Sequence, residues 1–452
     1  MPRARFGTDG LRGVANADLT AELAVALGRA VARVVPAQTF VVGRDTRRSG
    51  PLLQAALSAG LATEGGDVTD VGVIPTSGVA YLCHLRGLPG AMVSASHNPF
   101  ADNGIKVFSV GGTKLSVPTE EAVEYELDLL LSDPGHPPRR PTGYGIGVIR
   151  TDGGAADEYR GHLCGALEDR RLGGLRVVLD CANGAASAFA PEVFAAMGAE
   201  VLATACEPDG ANINRSCGST SPEALGRTVV DTGADLGLAF DGDADRLVAV
   251  DHTGAVADGD VVLALFAVDM AERGLLPENE VVVTVMTNLG FHRAMAGRGI
   301  SVRETPVGDR NVLEALDLNG LALGGEQSGH IVFRRQATTG DGVLTGLTLA
   351  DLVVRKGRSL AALSDGLIQR VPQLLVNVPV VQPDRLDTAD GVWSAVAEAE
   401  AELGETGRVL LRASGTEPLV RVMVEAATEE QARLVAGRLR AVVSQALGPG
   451  DG

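Results

Sequence analysis

TFVVGRD (Thr39–Asp45) runs into PLLQAALSAGLATEGG (Pro51–Gly66). An apolar, β-branched segment ends in a polar turn, and an Ala- and Leu-rich segment with helical character follows. The same succession recurs twice. LRVVLDCANG (175–184) leads to FAPEVFAAMG and AEVLAT, and EVVVTVMTN (280–288) leads to LGFHRAMAGRG and ISVRET. Continuous apolar strands alternating with helices predict βαβ units around a buried parallel sheet. With 58 glycines and only 3% aromatic residues, the core is expected to be Ala, Val and Leu, joined by tight turns.

The chain has 452 residues, too many for one core. SDPGHPPRRPTGYGIG (132–147) is rich in Pro and Gly and reads as a linker. Beyond RVPQLLVNVPVVQPDR (370–385) the order changes to helix, strand, loop, strand, helix, an α+β pattern. A further break is expected near Val250–Gly259. Four domains follow: 1–145, 146–252, 253–369 and 370–452.

A net charge of −18 disfavours sequence-independent nucleic-acid binding. Small anions can still bind where a few cations converge. No apolar run reaches the length of a membrane span, and MPRARFGTDG is not followed by a signal-peptide core. The five cysteines form no C-x-x-C pair and are expected to be reduced thiols in a cytoplasmic protein.

Ligands in open α/β sheets sit beyond the carboxyl ends of the strands. Several polar clusters here follow apolar segments. DGDADR (241–246) puts Asp241, Asp243 and Asp245 within five residues. Such carboxylates repel unless a cation joins them, and all-oxygen donors suit Mg²⁺ first, with Ca²⁺ or Mn²⁺ as alternatives. A solvated acidic turn is the plainer reading. An EF-hand is excluded by Arg246 at its sixth position and His252 at its twelfth.

A hard cation held by three aspartates leaves room for a phosphoryl oxygen. This directs attention to VSASHNPFADNGIK (93–106), where Ser96 could carry a phosphate or merely cap a turn. RASGTEPLVRV (412–422) combines Ser414, Gly415 and Thr416 with the forked donors Arg412 and Arg421, suited to phosphate. GGEQSGH (324–330) offers Glu326, Gln327, Ser328 and His330 to sugar hydroxyls, or Glu326 to an amine. FGTDGLRG (6–13) sets Thr8, Asp9 and Arg12 among glycines. Each of these could also be an ordinary polar turn. No Walker A, GxSxG or H-E-x-x-H pattern is present.

Taken in order along nearly the whole chain, FGTDGLRG, SASHNPFADNGIK, DGDADR, GGEQSGH and RASGTEP resemble the α-D-phosphohexomutase superfamily. Gln327 in the sugar loop and TTGDGVLTG (338–346) are similar to its bacterial amino-sugar branch. The resemblance implies three α/β domains with mixed, mainly parallel sheets plus a smaller C-terminal α+β domain around a central cleft. It implies Ser96 as phosphoserine, with Asp241, Asp243, Asp245 and the Ser96 phosphate as ligands of one Mg²⁺. His97 and Lys106 would assist proton transfer, with Arg12 and Arg246 near the phosphate. Glu326, Ser328 and His330 would contact the sugar. Arg412, Ser414, Gly415, Thr416 and Arg421 would clamp the other phosphate. YLCHLRGLPGAM (81–92) matches no part of that pattern.

The implied enzyme is an isomerase, an intramolecular phosphotransferase. It would interconvert glucosamine 6-phosphate and glucosamine 1-phosphate through a phosphoserine and a 1,6-bisphosphate, feeding UDP-N-acetylglucosamine synthesis. The implied partner is a small sugar phosphate, with no nucleic acid and no membrane, and a homodimer is allowed. A mannose or glucose phosphomutase, a metal-dependent phosphatase and a non-catalytic sugar-phosphate sensor are the alternatives. The intact Ser96 and aspartate set argue against the sensor, and the second phosphate motif argues against the phosphatase.

Overall fold

The computed structural model describes residues 6–7, 10–132, 140–414 and 418–449. These form two compact units, one of Met1–Thr284 with Arg303–Asp365, the other of Val285–Val302 with Gly366–Gly452.

The first unit begins with a six-stranded sheet of β1 (Leu11–Val14), β2 (Thr39–Arg44), β3 (Asp67–Val73), β4 (Gly90–Val93), β5 (Asp102–Phe108) and β6 (Ile149–Thr151), in the order β1-β5-β4-β2-β3-β6. β4, β2, β3 and β6 run parallel, as the βαβ reading requires. β5 and β1 are added antiparallel, so the sheet is mixed. β6 lies beyond residue 145, so this sheet takes in residues that the linker reading placed in the next domain. Its pairing of Val68 with Ile149 is reinforced by the Asp67 carboxylate, which accepts the Val148 N–H at 2.7 Å.

Four helices accompany this sheet: α1 (Ala21–Val34), α2 (Gly50–Thr63), α3 (Thr76–Arg86) and α4 (Val117–Ser132). The Thr20 side chain caps α1 by accepting from Leu23 N–H. A glycine inside a helix costs about 1 kcal/mol relative to alanine. Gly28 and Gly60 are nonetheless required, because a Cβ at either would lie 2.2 Å from a carbonyl oxygen of the facing helix, Leu57 O and Val25 O respectively. Leu27, Phe40, Leu53, Leu61, Val93 and Ile105 fill the core beneath.

A second sheet holds β7 (Arg176–Asp180), β8 (Glu200–Thr204), β9 (Leu236–Phe240), β10 (Leu247–Asp251) and β11 (Val256–Ala257), ordered β11-β10-β9-β7-β8. β9 and β10 are buried throughout and pair antiparallel from Phe240 opposite Leu247. DGDADR is therefore the tip of a hairpin whose stem is held by core packing. β11 extends this sheet past residue 252.

The third sheet contains β12 (Glu280–Thr284), β13 (Ser301–Thr305), β14 (Leu323–Gly325) and β15 (Ile331–Phe333), in the order β13-β12-β14-β15. β14 and β15 pair antiparallel from Gly325 opposite Ile331, so GEQSGH forms a second hairpin tip.

The second unit is α+β. β16 (Gln373–Pro379), β17 (Arg408–Ala413) and β18 (Leu419–Glu425) form an antiparallel sheet in the order β16-β18-β17, with helices Asp390–Leu403 and Glu429–Leu447. Residues 285–302, read from the sequence as part of the third βαβ unit, group with this sheet instead. Asn288 and its neighbours hold them there: the Asn288 amide donates to Val371 O at 2.9 Å, its Oδ1 accepts Val371 N–H at 3.0 Å, and Leu289 N–H donates to the Glu425 carboxylate at 3.1 Å. Among the described residues, no helix is long and apolar enough to cross a membrane. All five cysteines are free thiols.

Candidate active site

β4 delivers the serine loop at its carboxyl end. Ser96 sits there with φ +52°, a left-handed conformation that non-glycine residues hold only when their surroundings enforce it. The enforcement is visible. Arg47 Nη2 donates to the carbonyl oxygens of Ser96 and Asn98, both at 2.8 Å, and its Nη1 donates to Pro99 O and Asp102 O. Asn214 Nδ2 donates to Ser96 O at 2.9 Å and Asn98 O at 3.0 Å. Asp45 fixes Arg47 by accepting from its Nε at 2.9 Å and its backbone N–H at 2.8 Å. Asp45 also accepts the Ser94 hydroxyl at 2.7 Å, and Ser94 Oγ accepts the Ser96 N–H at 2.9 Å.

Held this way, the Ser96 hydroxyl donates to Asp241 Oδ2 at 2.5 Å. Gly242 permits the approach, since a Cβ there would lie 2.5 Å from Ser96 O. Asp241, Asp243 and Asp245 are all buried, and one oxygen from each lies within 4.8 Å of the others. Asp243 Oδ2 accepts from Thr76 Oγ1 at 2.6 Å and from Lys106 Nζ at 2.9 Å, and Lys106 also reaches Asp245 Oδ2 at 3.2 Å.

Burial, then the charges of Asp245 and Asp243, push Asp241 well above the usual carboxylate range. Burial opposes ionisation of Asp245 as well, but Lys106, His330 and Arg246 outweigh it and hold Asp245 well below that range. Burial and mutual repulsion therefore disfavour full ionisation of the cluster, a cost that a bound cation would offset. The residues fit a hard divalent ion. All donors are oxygen, and Asp243 Oδ1 and Asp245 Oδ1 are buried without a hydrogen-bond partner.

His97 Nδ1 lies 3.3 Å from Ser96 Oγ and 3.2 Å from Arg246 Nη1. A guanidinium can only donate, so Nδ1 carries a lone pair and the proton is on Nε2. Burial, with Arg246 and Arg12 nearby, lowers the His97 pKa to about 4. In this arrangement the ring is neutral and its acceptor nitrogen is already engaged.

The sugar-loop hairpin adjoins the metal loop. Asp245, Arg246, Val307, Gly308, Glu326 and His330 line a cavity of about 120 Å³ together with Asp309. Glu326 Oε1 accepts Gly308 N–H at 3.1 Å, and Oε2 accepts the Ser328 hydroxyl at 3.3 Å. His330 turns inward. Its Nδ1 is 3.8 Å from Asp245 Oδ2, and its Nε2 accepts Gly340 N–H at 3.1 Å. Although burial disfavours its charge, Asp245 pulls the ring's pKa up to about 9. The Gly340 bond needs a lone pair on Nε2, so the geometry favours the neutral ring protonated on Nδ1. In this arrangement Nε2 is held by Gly340 and Nδ1 faces Asp245, while the ring lines the cavity.

In the second unit, Arg412 and Arg421 stand directly opposite each other across β17 and β18, and Ser414 N–H donates to Leu419 O at 2.9 Å. Like charges in that register repel, a cost an anion would relieve. Gly415 and Thr416 lie outside the described residues, as do Thr8 and Asp9.

Family models described as phosphoglucomutase/phosphomannomutase alpha/beta/alpha domains I, II and III match residues 3–129, 157–254 and 258–371, and a model of the C-terminal domain matches 375–442. The chain belongs to the phosphoglucomutase/phosphomannomutase family. Among relatives, a phosphoglucosamine mutase of Streptomyces griseus is 55% identical, over 98% of this chain and 99% of its own length. One of Rhodococcus erythropolis is 52% identical, over 97% and 98%. A solved phosphoglucomutase/phosphomannomutase family protein of Burkholderia thailandensis is 26% identical and superposes with a TM-score of 0.82, covering 100% of this chain and 99% of that one. A phosphomannomutase described as putative, from Thermus thermophilus, shares the fold at 24% identity and a TM-score of 0.78, over 98% and 99%.

Arg12, Ser96, His97, Lys106, the three aspartates, Arg246 and the sugar loop, all named from the sequence, fall in one compact unit; the residues that support them were not read from the sequence. Asp45 ends the TFVVGRD stretch read above only as a strand and its turn, and Arg47 lies just beyond it. Thr76 and Asn214 carry no motif at all. Val307–Asp309 lines the cavity, and its only signal is a polar VGDR run after a strand.

Proposed function

We propose that this chain is a phosphoglucosamine mutase, interconverting glucosamine 6-phosphate and glucosamine 1-phosphate. The observation that carries the reading is the 2.5 Å bond from the Ser96 hydroxyl to Asp241, which sets a conformationally enforced serine on a buried carboxylate triad. The choice of amino sugar is supported by the full-length similarity to phosphoglucosamine mutases.

In the proposed reaction, phosphorylated Ser96 transfers its phosphoryl group to O1 of the 6-phosphate. The resulting 1,6-bisphosphate turns over and returns the O6 phosphoryl group to Ser96. Asp241, Asp243 and Asp245 would hold Mg²⁺, which when bound supplies positive charge to phosphoryl oxygens. Arg246 and Arg12 add charge around Ser96. Lys106 or His97 is assigned to the substrate-hydroxyl proton; in this arrangement Lys106 is held by Asp243 and Asp245 and His97 Nδ1 by Arg246, so either must be released first. Glu326 and Ser328 are assigned to the sugar. The Arg412–Arg421 pair with Ser414, Gly415 and Thr416 is assigned to the phosphate that is not reacting. The four-domain division at 145, 252 and 369 is retained as a proposal, with β6 and β11 carried by the preceding sheets.

The test is a coupled assay on glucosamine, glucose and mannose 6-phosphates. The highest kcat/KM is expected for glucosamine 6-phosphate. Higher turnover of another hexose phosphate would assign the chain to a sibling mutase, and release of inorganic phosphate from all three would make it a phosphatase.

A further inference from the structure

The metal loop is strained at its centre. Ala244, between Asp243 and Asp245, has φ +57°, a left-handed conformation that an alanine holds only under constraint. Two segments outside the loop hold it. Gly342 N–H donates to Ala244 O at 2.9 Å. Thr76, the first residue of α3, donates twice to Asp243: its N–H to the backbone oxygen at 3.0 Å and its hydroxyl to Oδ2 at 2.6 Å.

A third segment joins these two to each other. Tyr159, in the helix Ala155–Gly165, is fully buried and donates its phenol proton to Asp341 Oδ2 at 2.8 Å. Ser77 Oγ lies 2.8 Å from the same phenol oxygen. Tyr159 has one proton and Asp341 takes it, so Ser77 is the donor in that contact. Burial, and then the charge of Asp341, raise the phenol well above its ordinary pKa, which keeps that proton in place. Ser77 follows Thr76 in the chain, and Asp341 precedes Gly342. Contacts therefore run from Asp243 through Thr76 and Ser77, across the Tyr159 hydroxyl, and through Asp341 and Gly342 to Ala244. Asp341 is itself fixed, because its Oδ1 caps the helix Gly342–Lys356 by accepting Leu344 N–H at 3.0 Å.

α3 and the Tyr159 helix are also docked along their length. Tyr81 stacks on His162 with ring centroids 4.1 Å apart, and Arg86 Nη2 meets Asp152 at 2.7 Å and Glu158 at 2.8 Å. Tyr81 and Arg86 belong to YLCHLRGLPGAM, the stretch that matches no part of the family pattern. Its contribution is to fix α3 against the helix that carries Tyr159.

We propose that Tyr159 is a positioning residue for the metal site, its hydroxyl setting the spacing of Asp243 and Asp245 without touching metal or substrate. The inference rests on the reading of the three aspartates as Mg²⁺ ligands. Mg²⁺ demands near-ideal octahedral geometry, so its affinity is sensitive to the groups that orient its ligands. Two of those ligands hang from segments that only the phenol oxygen and its proton hold together at this point. Losing that hydroxyl leaves the aspartates in place but lets their separation vary.

The test is Mg²⁺ titration calorimetry on the full chain and on Tyr159→Phe, which keeps the ring and removes only the hydroxyl. Thermal melts with and without Mg²⁺ accompany it. Mg²⁺ should bind the variant roughly tenfold more weakly, the lower end of what disturbing the support of a metal ligand costs. The Mg²⁺ concentration for half-maximal rate should rise by the same factor, and excess Mg²⁺ should restore most of kcat. KM for the sugar phosphate should not move. Leu163→Val loosens the buried face of the same helix without touching the hydroxyl. It should lower the melting temperature and leave Mg²⁺ affinity as in the wild type. Equal Mg²⁺ affinity in Tyr159→Phe and the wild type would overturn the inference. So would an equal weakening in Leu163→Val, which would make the effect general loosening. A wild-type chain that shows no Mg²⁺ binding by either method would instead overturn the metal reading on which the inference stands.

Discussion

The side-chain amide of Asn214 donates to the carbonyl oxygen of Ser96 at 2.9 Å, tying the second sheet's loops to the serine loop of the first. Ser96 is held left-handed by this bond and by Arg47, so its hydroxyl orientation depends on residues far from it in sequence. Asn214→Ala should lower kcat by roughly one to two orders of magnitude, the scale expected for misplacing a reacting group by about 1 Å. Asn214→Asp should be worse, because a carboxylate would face two carbonyl oxygens. Steady-state kinetics beside a thermal melt checks this. A melt that falls in step with kcat would make Asn214 a general stability residue instead.

Ser96→Ala should lose turnover almost completely while keeping its fold. Intact-mass measurement of the wild-type chain should reveal a phosphoryl adduct of about 80 Da on a fraction of molecules, absent in the variant. An alanine variant that turns over normally would end the phosphoserine mechanism.

Chelation should abolish turnover and leave the circular dichroism spectrum intact, because the aspartate hairpin stands on buried β9 and β10. Mg²⁺ should raise the melting temperature, since binding at a hundred times Kd adds about 2.7 kcal/mol to the folded state. Asp243→Asn should weaken that effect. It removes a ligand charge and one of the two carboxylates, Asp243 and Asp245, that Lys106 Nζ meets. Titration calorimetry with Mg²⁺ provides a readout separate from activity.

Gly242→Ala places a methyl group 2.5 Å from a backbone oxygen, that of Ser96, which cannot step aside as a flexible side chain would. Separation of the serine and metal loops should cost about 1–3 kcal/mol of stability, and activity should fall further than stability alone explains. Melting temperature and kcat together check it, and an unaffected kcat would show that the close approach is dispensable.

Glu326→Gln should narrow the preference for glucosamine over glucose 6-phosphate by roughly tenfold or more, because a charge-assisted bond to an ammonium contributes about 1.5–3 kcal/mol. The ratio of the two kcat/KM values is the measurement. A ratio unchanged by the substitution would place the amine beyond the reach of Glu326.

The local chemistry was legible from residue order because it is compact in sequence. Asp241, Asp243 and Asp245 converge because they share one hairpin tip, and alternating apolar and polar segments already marked that tip as a strand end. Likewise Glu326 and Ser328 sit on one tip between β14 and β15, and the βαβ order announced parallel strands in the first two sheets. Tertiary structure alone decided how those tips are oriented and what supports them. Arg47 reaches Ser96 across 49 positions, Asn214 across 118, and Thr76 reaches Asp243 across 167. Hydrogen bonds of such separation leave no periodicity and no spacing in the sequence. The same holds for residues 285–302, whose strand–helix pattern is local but whose attachment to the C-terminal residues is made by Asn288 on Val371, Leu289 N–H on the Glu425 carboxylate, and Gln373 and Arg408 on the carbonyls of Met286 and Thr287. Apolar pattern and turn chemistry act between neighbours along the chain, whereas the strained Ser96 backbone and the shifted pKa values of Asp241, Asp245 and His97 exist only once burial brings distant groups within hydrogen-bond reach.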